Sequence, residues 1–128
     1  MYTIVHKTRT AEISFEESSY ILIKLLPGSV IDEADALDNL LVIKNLSKGE
    51  KQLKLIDVRG KIILTDKAKE VSKNNVSQKN TIARAYLVDS FLNIVLRSFF
   101  ESFNQSEIPQ KFFTKKEDAI KWLMEFKK

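Results

Sequence analysis

Apolar residues in this chain recur on two beats, every second residue in short stretches and every third or fourth in longer ones, and the two kinds of stretch take turns. Ala11 to Glu16 alternates Ile13 and Phe15 with polar neighbours, and Tyr20 to Leu26 is richer in apolar residues. With Glu17-Ser18-Ser19 between them, they predict a β-hairpin, closed by Pro27-Gly28. Asp32 then stands as an N-cap with Asp35 three positions on. Ala36, Leu37, Leu40, Leu41 and Ile43 follow at helical spacing to about Leu46, where Ser47-Lys48-Gly49 stops the helix. Leu53 to Val58 reads as a strand. Ile62-Ile63-Leu64 leads through Thr65-Asp66 into a helix to about Lys73, and Thr81 to Val88 reads as another strand. Asp89 or Ser90 caps a helix to about Phe103, and Pro109 to Phe113 is a short strand, possible at an edge because proline is tolerated there. Thr114-Lys115-Lys116-Glu117 fits a capping box for a last helix that buries Ala119, Trp122, Leu123 and Phe126.

Strands separated by helices need crossover connections, so the sheet is expected to be mostly parallel apart from the opening hairpin. The sequence therefore predicts an α/β class, a single mixed, mostly parallel sheet flanked by helices in the order β-β-α-β-α-β-α-β-α. Its 128 residues, with 44% hydrophobic and 30% charged side chains, suit one domain over residues 1–128 whose core needs neither disulfide nor metal.

Several function classes lose their support at this stage. The chain has no cysteine, which removes thiolate chemistry and Cys-type zinc sites. Its glycines, Gly28, Gly49 and Gly60, are isolated, so no phosphate-cradling loop is present. His6 is the single histidine and has no recognisable triad around it. Asp32, Glu33, Asp35 and Asp38 lack the pattern of a calcium loop and suit the positive end of a helix instead. From Lys111 to Lys128 six lysines face three acids, yet no nucleic-acid-binding motif accompanies them. Apolar runs stop at four residues, far short of a membrane helix, and no signal segment opens the chain. The expectation is a cytoplasmic protein, not an enzyme, without cofactor or metal.

In open α/β sheets, ligands and partners meet the carboxyl ends of the strands. Asp57, Arg59 and Gly60 follow one strand, Thr65 and Asp66 open the next helix, and Asp89 and Ser90 follow another strand. These residues are expected to share one edge, a docking or switch edge. On the helix after Ser90, Phe91, Leu92, Val95, Leu96, Phe99, Phe100 and Phe103 fill about half the circumference. Leu96, Phe99, Phe100 and Phe103 are the candidates for a homodimer interface or the wall of an apolar pocket.

An ordered set of segments resembles a known group. Ala83-Arg84-Ala85-Tyr86-Leu87-Val88-Asp89-Ser90 comes first, then the helix ending Arg97-Ser98-Phe99-Phe100. Pro109-Gln110-Lys111-Phe112-Phe113 and Glu117-Asp118-Ala119-Ile120-Lys121-Trp122-Leu123 complete it. Together they resemble the SpoIIAA-like small bacterial proteins, related to the STAS (sulfate transporter and anti-sigma factor antagonist) fold, from about Ala11 onward. The resemblance implies a mixed sheet with helices, often a dimer. Among better-known STAS proteins it implies binding to a regulatory protein, switched by phosphorylation of a serine at a helix start. Asp57 and Gly60 match that family's Asp-x-x-Gly, but Asp66 and Lys67 stand where the paired serines would be, and Thr65 is the hydroxyl nearby. The functional expectation is a non-catalytic regulatory or protein-interaction module. The alternative is a carrier of a small apolar or lipid-like ligand, by comparison with CRAL-TRIO domains.

Overall fold

The alternation around Ile13 and Phe15 does form a hairpin. In the computed structural model, which describes residues 3–73, 80–90 and 108–127, β2 (Ala11–Glu16) pairs antiparallel with β3 (Tyr20–Leu25), Glu16 opposite Tyr20. The Ser19 N–H donates to the Glu16 carbonyl at 2.8 Å across Glu17 and Ser18, both at positive φ (51° and 54°). That handedness matches the twist of a two-stranded ribbon. A short strand, β1 (Val5–Lys7), adds antiparallel to the outer edge of β2, with His6 exposed at its centre. It is absent from the expected order.

From β3 onward the chain crosses over repeatedly. Helix α1 (Glu33–Ser47) leads to β5 (Gln52–Asp57), and α2 (Asp66–Lys73) precedes β7 (Thr81–Leu87). Strand β8 (Gln110–Phe113) follows, then helix α3 (Lys116–Met124). The six strands lie in the order β1-β2-β3-β5-β7-β8, with β3, β5, β7 and β8 parallel. A two-residue ribbon of β4 (Val30–Ile31) and β6 (Ile63–Leu64) pairs separately and was also not anticipated. The expected helix from Asp89 or Ser90 to Phe103 lies outside the described residues.

Alternate strand residues serve two cores. Ile13, Ile21, Ile23 and Tyr86 pack on the face that carries Ala36 of α1 and Ala68 of α2. Leu53, Leu55, Ala83, Ala85 and Leu87 pack on the other face against Ala119 and Leu123 of α3. The last helix thus buries the face its spacing predicts, with Trp122 and Phe126 partly covered and stacked edge-on at 4.9 Å.

Two local expectations are corrected. The last helix begins at Lys116 with Lys115 at its N-cap and no side-chain cap bond, because the backbone stays extended through Lys115, so the capping box from Thr114 to Glu117 does not form. On α1, Leu37 and Leu41 are 51% and 58% exposed, whereas Asp35, Ala36 and Asn39 face inward. The turn between β1 and β2 explains this. Asn39 Nδ2 donates to Thr10 Oγ1 at 3.0 Å and its Oδ1 accepts from Thr8 Oγ1. Arg9 grips Asp35 through Nε, at 2.8 Å, and through Nη2. Asp35 also accepts from the Asp32 N–H and Asp32 from the Asp35 N–H, a capping box with aspartate in the glutamate position.

The Arg9 guanidinium holds the Asp35 carboxyl well below the usual carboxylate range, at about 2, against the desolvation that would raise it. An unfolded aspartate titrates near about 3.9, so this stabilisation is complete above that pH and lost as pH falls towards 2. Urea denaturation between about pH 4.5 and 2.5 is expected to show wild-type stability falling more steeply than that of Asp35→Asn, whose amide does not titrate. Parallel slopes would contradict the Arg9–Asp35 assignment.

Candidate functional site

Because β3, β5 and β7 are parallel neighbours, the loops leaving them meet at one end of the sheet. Asp57 ends β5, buried, and its carboxylate turns back on its own loop. Oδ1 accepts from the Arg59 N–H at 3.1 Å and from Arg59 Nε at 3.0 Å, and Oδ2 accepts from Nη2 at 2.8 Å. These bonds keep Arg59 charged by raising its pKa further, while its side chain stays 46% exposed. The next N–H, of Gly60, donates to Asp89 Oδ2 at 2.7 Å, which ties the β5 loop to the β7 loop. The Gly28 N–H donates to Lys61 O at 2.7 Å, and the Ile63 and Thr65 N–H groups donate to Ser29 O and Ile31 O. Three loops are laced into one layer.

Gly60 is the tightest point of that layer. Its φ is +90°, and a Cβ there would lie 2.8 Å from Pro27 Cβ. Gly28 has a similar φ of +84° with open space around it.

Asp57, Arg59, Gly60 and Asp89 are thus brought together as expected, and Ser90 follows on the exposed surface. Thr65 and Asp66 lie apart from them, beyond β6, at the start of α2, where the Thr65 hydroxyl accepts from the Ala68 N–H at 3.2 Å. They line an open hollow with Asp32 and Glu33 at the start of α1. Thr65 is therefore a helix cap. Leu96, Phe99, Phe100 and Phe103 lie outside the described residues. Among the described residues no group of three or more His, Cys, Asp or Glu is arranged around a metal position, and no helix is long and apolar enough to cross a membrane.

A second region went unread in the sequence. Lys54 of β5 and Arg84 of β7 are register partners, 5% and 3% exposed, on the face beneath α1 and α2. Lys54 Nζ donates to Thr81 Oγ1 at 2.7 Å. Burial, and then the positive charge of Arg84, push the Lys54 ammonium down to about 8. Between these strands and the two helices lies a half-open cavity of about 120 Å³, mostly apolar. The signal was present: a lysine inside Leu53-Lys54-Leu55-Ile56 and an arginine inside Ala83-Arg84-Ala85 must point into a covered face if those strands are central.

A family model described as a domain of unknown function, DUF7793, matches residues 15–127. The chain belongs to this family. Comparison of this DUF7793 chain with curated proteins gave no match. Among solved structures it is similar to an uncharacterized protein of the DUF3478 family with a SpoIIAA-like fold, from Shewanella loihica PV-4. That structure shares 15% identity at a TM-score of 0.64, covering 95% of this chain and 92% of the other. The SpoIIAA-like resemblance read from the sequence therefore holds as fold.

Gly60→Ala is expected to lose on the order of 2 kcal/mol in urea denaturation, since a strained φ is joined by a clash of the new Cβ with the Pro27 ring. Gly28→Ala, with the strain alone, should lose about half as much. Equal losses would show that the Pro27 contact contributes nothing to the layer.

Proposed function

We propose that this DUF7793 chain is a non-catalytic recognition module that docks a regulatory protein on the loop layer at the carboxyl ends of the parallel strands. The observation that carries this reading is the β4–β6 ribbon. Val30 and Ile63 are register partners there, 50% and 59% exposed, on two strands held to each other by the Ser29–Ile63 and Ile31–Thr65 hydrogen bonds. Exposed apolar side chains on the same loop layer as a half-exposed arginine, Arg59, combine apolar area with the arginine that is enriched among the anchors of protein contacts. The carboxylates of Asp57 and Asp89 both accept hydrogen bonds from the layer's own backbone, which suits a fixed docking surface better than proton transfer.

The cavity beneath α1 and α2 favours a second reading, a carrier of a small apolar ligand. Its walls are largely aliphatic and preformed, as small-molecule sites usually are.

A photo-crosslinking residue placed at position 63 or 30 of the full chain, in extract of its source cells, is expected to capture the same protein at both positions. The same probe at position 4, whose isoleucine is 71% exposed at the far end of the edge strand, should not. Val30→Asp should cut the yield from position 63 by roughly tenfold. The docking reading fails if positions 63, 30 and 4 give indistinguishable products, or if the product is a second copy of the chain, which would make this surface a homodimer interface.

A further inference from the structure

Two cations stand side by side on a covered sheet face where apolar residues would ordinarily pack. Lys54 and Arg84 share a register position, and Ile56 and Tyr86 stand two residues further along the same face. Ile23, Ile56, Ala36, Leu40, Ile43 and Val71 supply aliphatic wall to the cavity that Lys54 and Arg84 also line. An aliphatic cavity of about 150 Å³ takes a benzene molecule. The cavity of about 120 Å³ here has the scale of a single ring or a short chain, not of a membrane lipid's acyl tail.

We propose that this cavity binds a small apolar carboxylate, its ring or short chain among the aliphatic walls and its anionic end between Lys54 and Arg84. The inference rests on the ligand-carrier reading and adds the charge of the ligand to it. A carboxylate placed there meets two neighbouring cations held away from water, where a charge-assisted bond is stronger than at the surface. Neither cation needs to lack partners for this. An ammonium has three donors and a guanidinium five, so each can add a charge-assisted bond to those it already makes, such as the one from Lys54 to Thr81. The titratable groups lining the cavity among the described residues are Lys54, Arg84 and Tyr86. Burial pushes the Tyr86 hydroxyl up, so it stays neutral when Lys54, pushed down to about 8, loses its proton. The polar groups that α1 and α2 contribute to the lining, Asn39 and Ser72, do not titrate.

The test is a methyl NMR titration of the full chain with benzoate and with its uncharged counterpart, benzyl alcohol, at about pH 7. Saturable shifts are expected at the Ile23, Ile43 and Ile56 methyls, with benzoate binding roughly tenfold or more tightly than the alcohol. Lys54→Met should remove most of that preference, lowering benzoate's affinity far more than the alcohol's. On the wild-type chain, benzoate binding should weaken between about pH 7 and 9.5 as Lys54 deprotonates, an arm that needs no variant to fold. If both compounds bind equally well, and benzoate without pH dependence, the carboxylate inference falls and the carrier reading stands. If neither shifts these methyls, both fall.

Discussion

Strands β5 and β7 each have a parallel neighbour on both edges and helices over both faces of their sheet, so most of their side chains are shut off from water. Successive residues must go to opposite layers. Leu53, Leu55, Ala83, Ala85 and Leu87 meet α3, and the small alanines let Ala119 and Leu123 approach the sheet closely. Burying each leucine stabilises by roughly 1.5–3 kcal/mol, so the register of these strands is strongly preferred over a slip that would exchange the faces. The same preference carries Lys54 and Arg84 inward. Replacing buried charged pairs by apolar side chains of similar volume is often neutral or stabilising, so core packing alone does not call for charges here. Two inward cations in neighbouring strands break the local rules of a parallel sheet, and such breaks are expected where a protein meets a ligand.

The loop layer follows from the same strand arrangement. Three parallel strands side by side deliver three loops to one end, and their polar groups have to be satisfied there. Asp57 and Asp89 do this by binding loop N–H groups, Gly60 lets the chain pass against Pro27, and Thr65 caps α2. In a SpoIIAA-like fold the region after the central strand invites comparison with a phosphorylated serine. In this chain the hydroxyl closest to that position, on Thr65, holds a helix start, and Asp66 and Lys67 replace the serine pair. The paired hydroxyls of that comparison are thus absent from this position.

The periodic segments were legible from sequence. β2, β3, β5, β7 and the two helices between them stand within a residue or two of their expected bounds, because the strands and α1 carry several apolar residues each and Thr65-Asp66 marks the start of α2. Strand β1 was missed because Val5, His6 and Lys7 are all exposed and three residues carry no period. The ribbon strands are shorter still. On α1, helical spacing allowed Leu37 and Leu41 as readily as Ala36, Leu40 and Ile43. The choice was made elsewhere, by Thr8, Arg9 and Thr10 reaching Asn39 and Asp35, a contact between segments about 30 residues apart that no local pattern encodes. At the candidate site, chain order gave the cluster of Asp57, Arg59, Gly60 and Asp89, since strand ends collect together. It did not give the cavity, whose walls come from strands and helices far apart in the chain.

The two candidate surfaces share one piece of backbone. In the β4–β6 ribbon, Val30 and Ile63 face outward, while their immediate neighbours Ile31 and Leu64 line the cavity. This is the ordinary alternation of an extended strand, and in a two-residue ribbon it leaves each strand with one inner and one outer side chain. A ligand that presses on Ile31 and Leu64 therefore acts on the same peptide groups that carry Val30 and Ile63. The ribbon is the lighter partner in that contact, because two residue pairs are easier to displace than the central strands on the cavity's other side. A coupling between the sites requires only that the ribbon sit differently over a filled cavity than over an empty one, and its size is bounded by the difference in ligand affinity between those two positions.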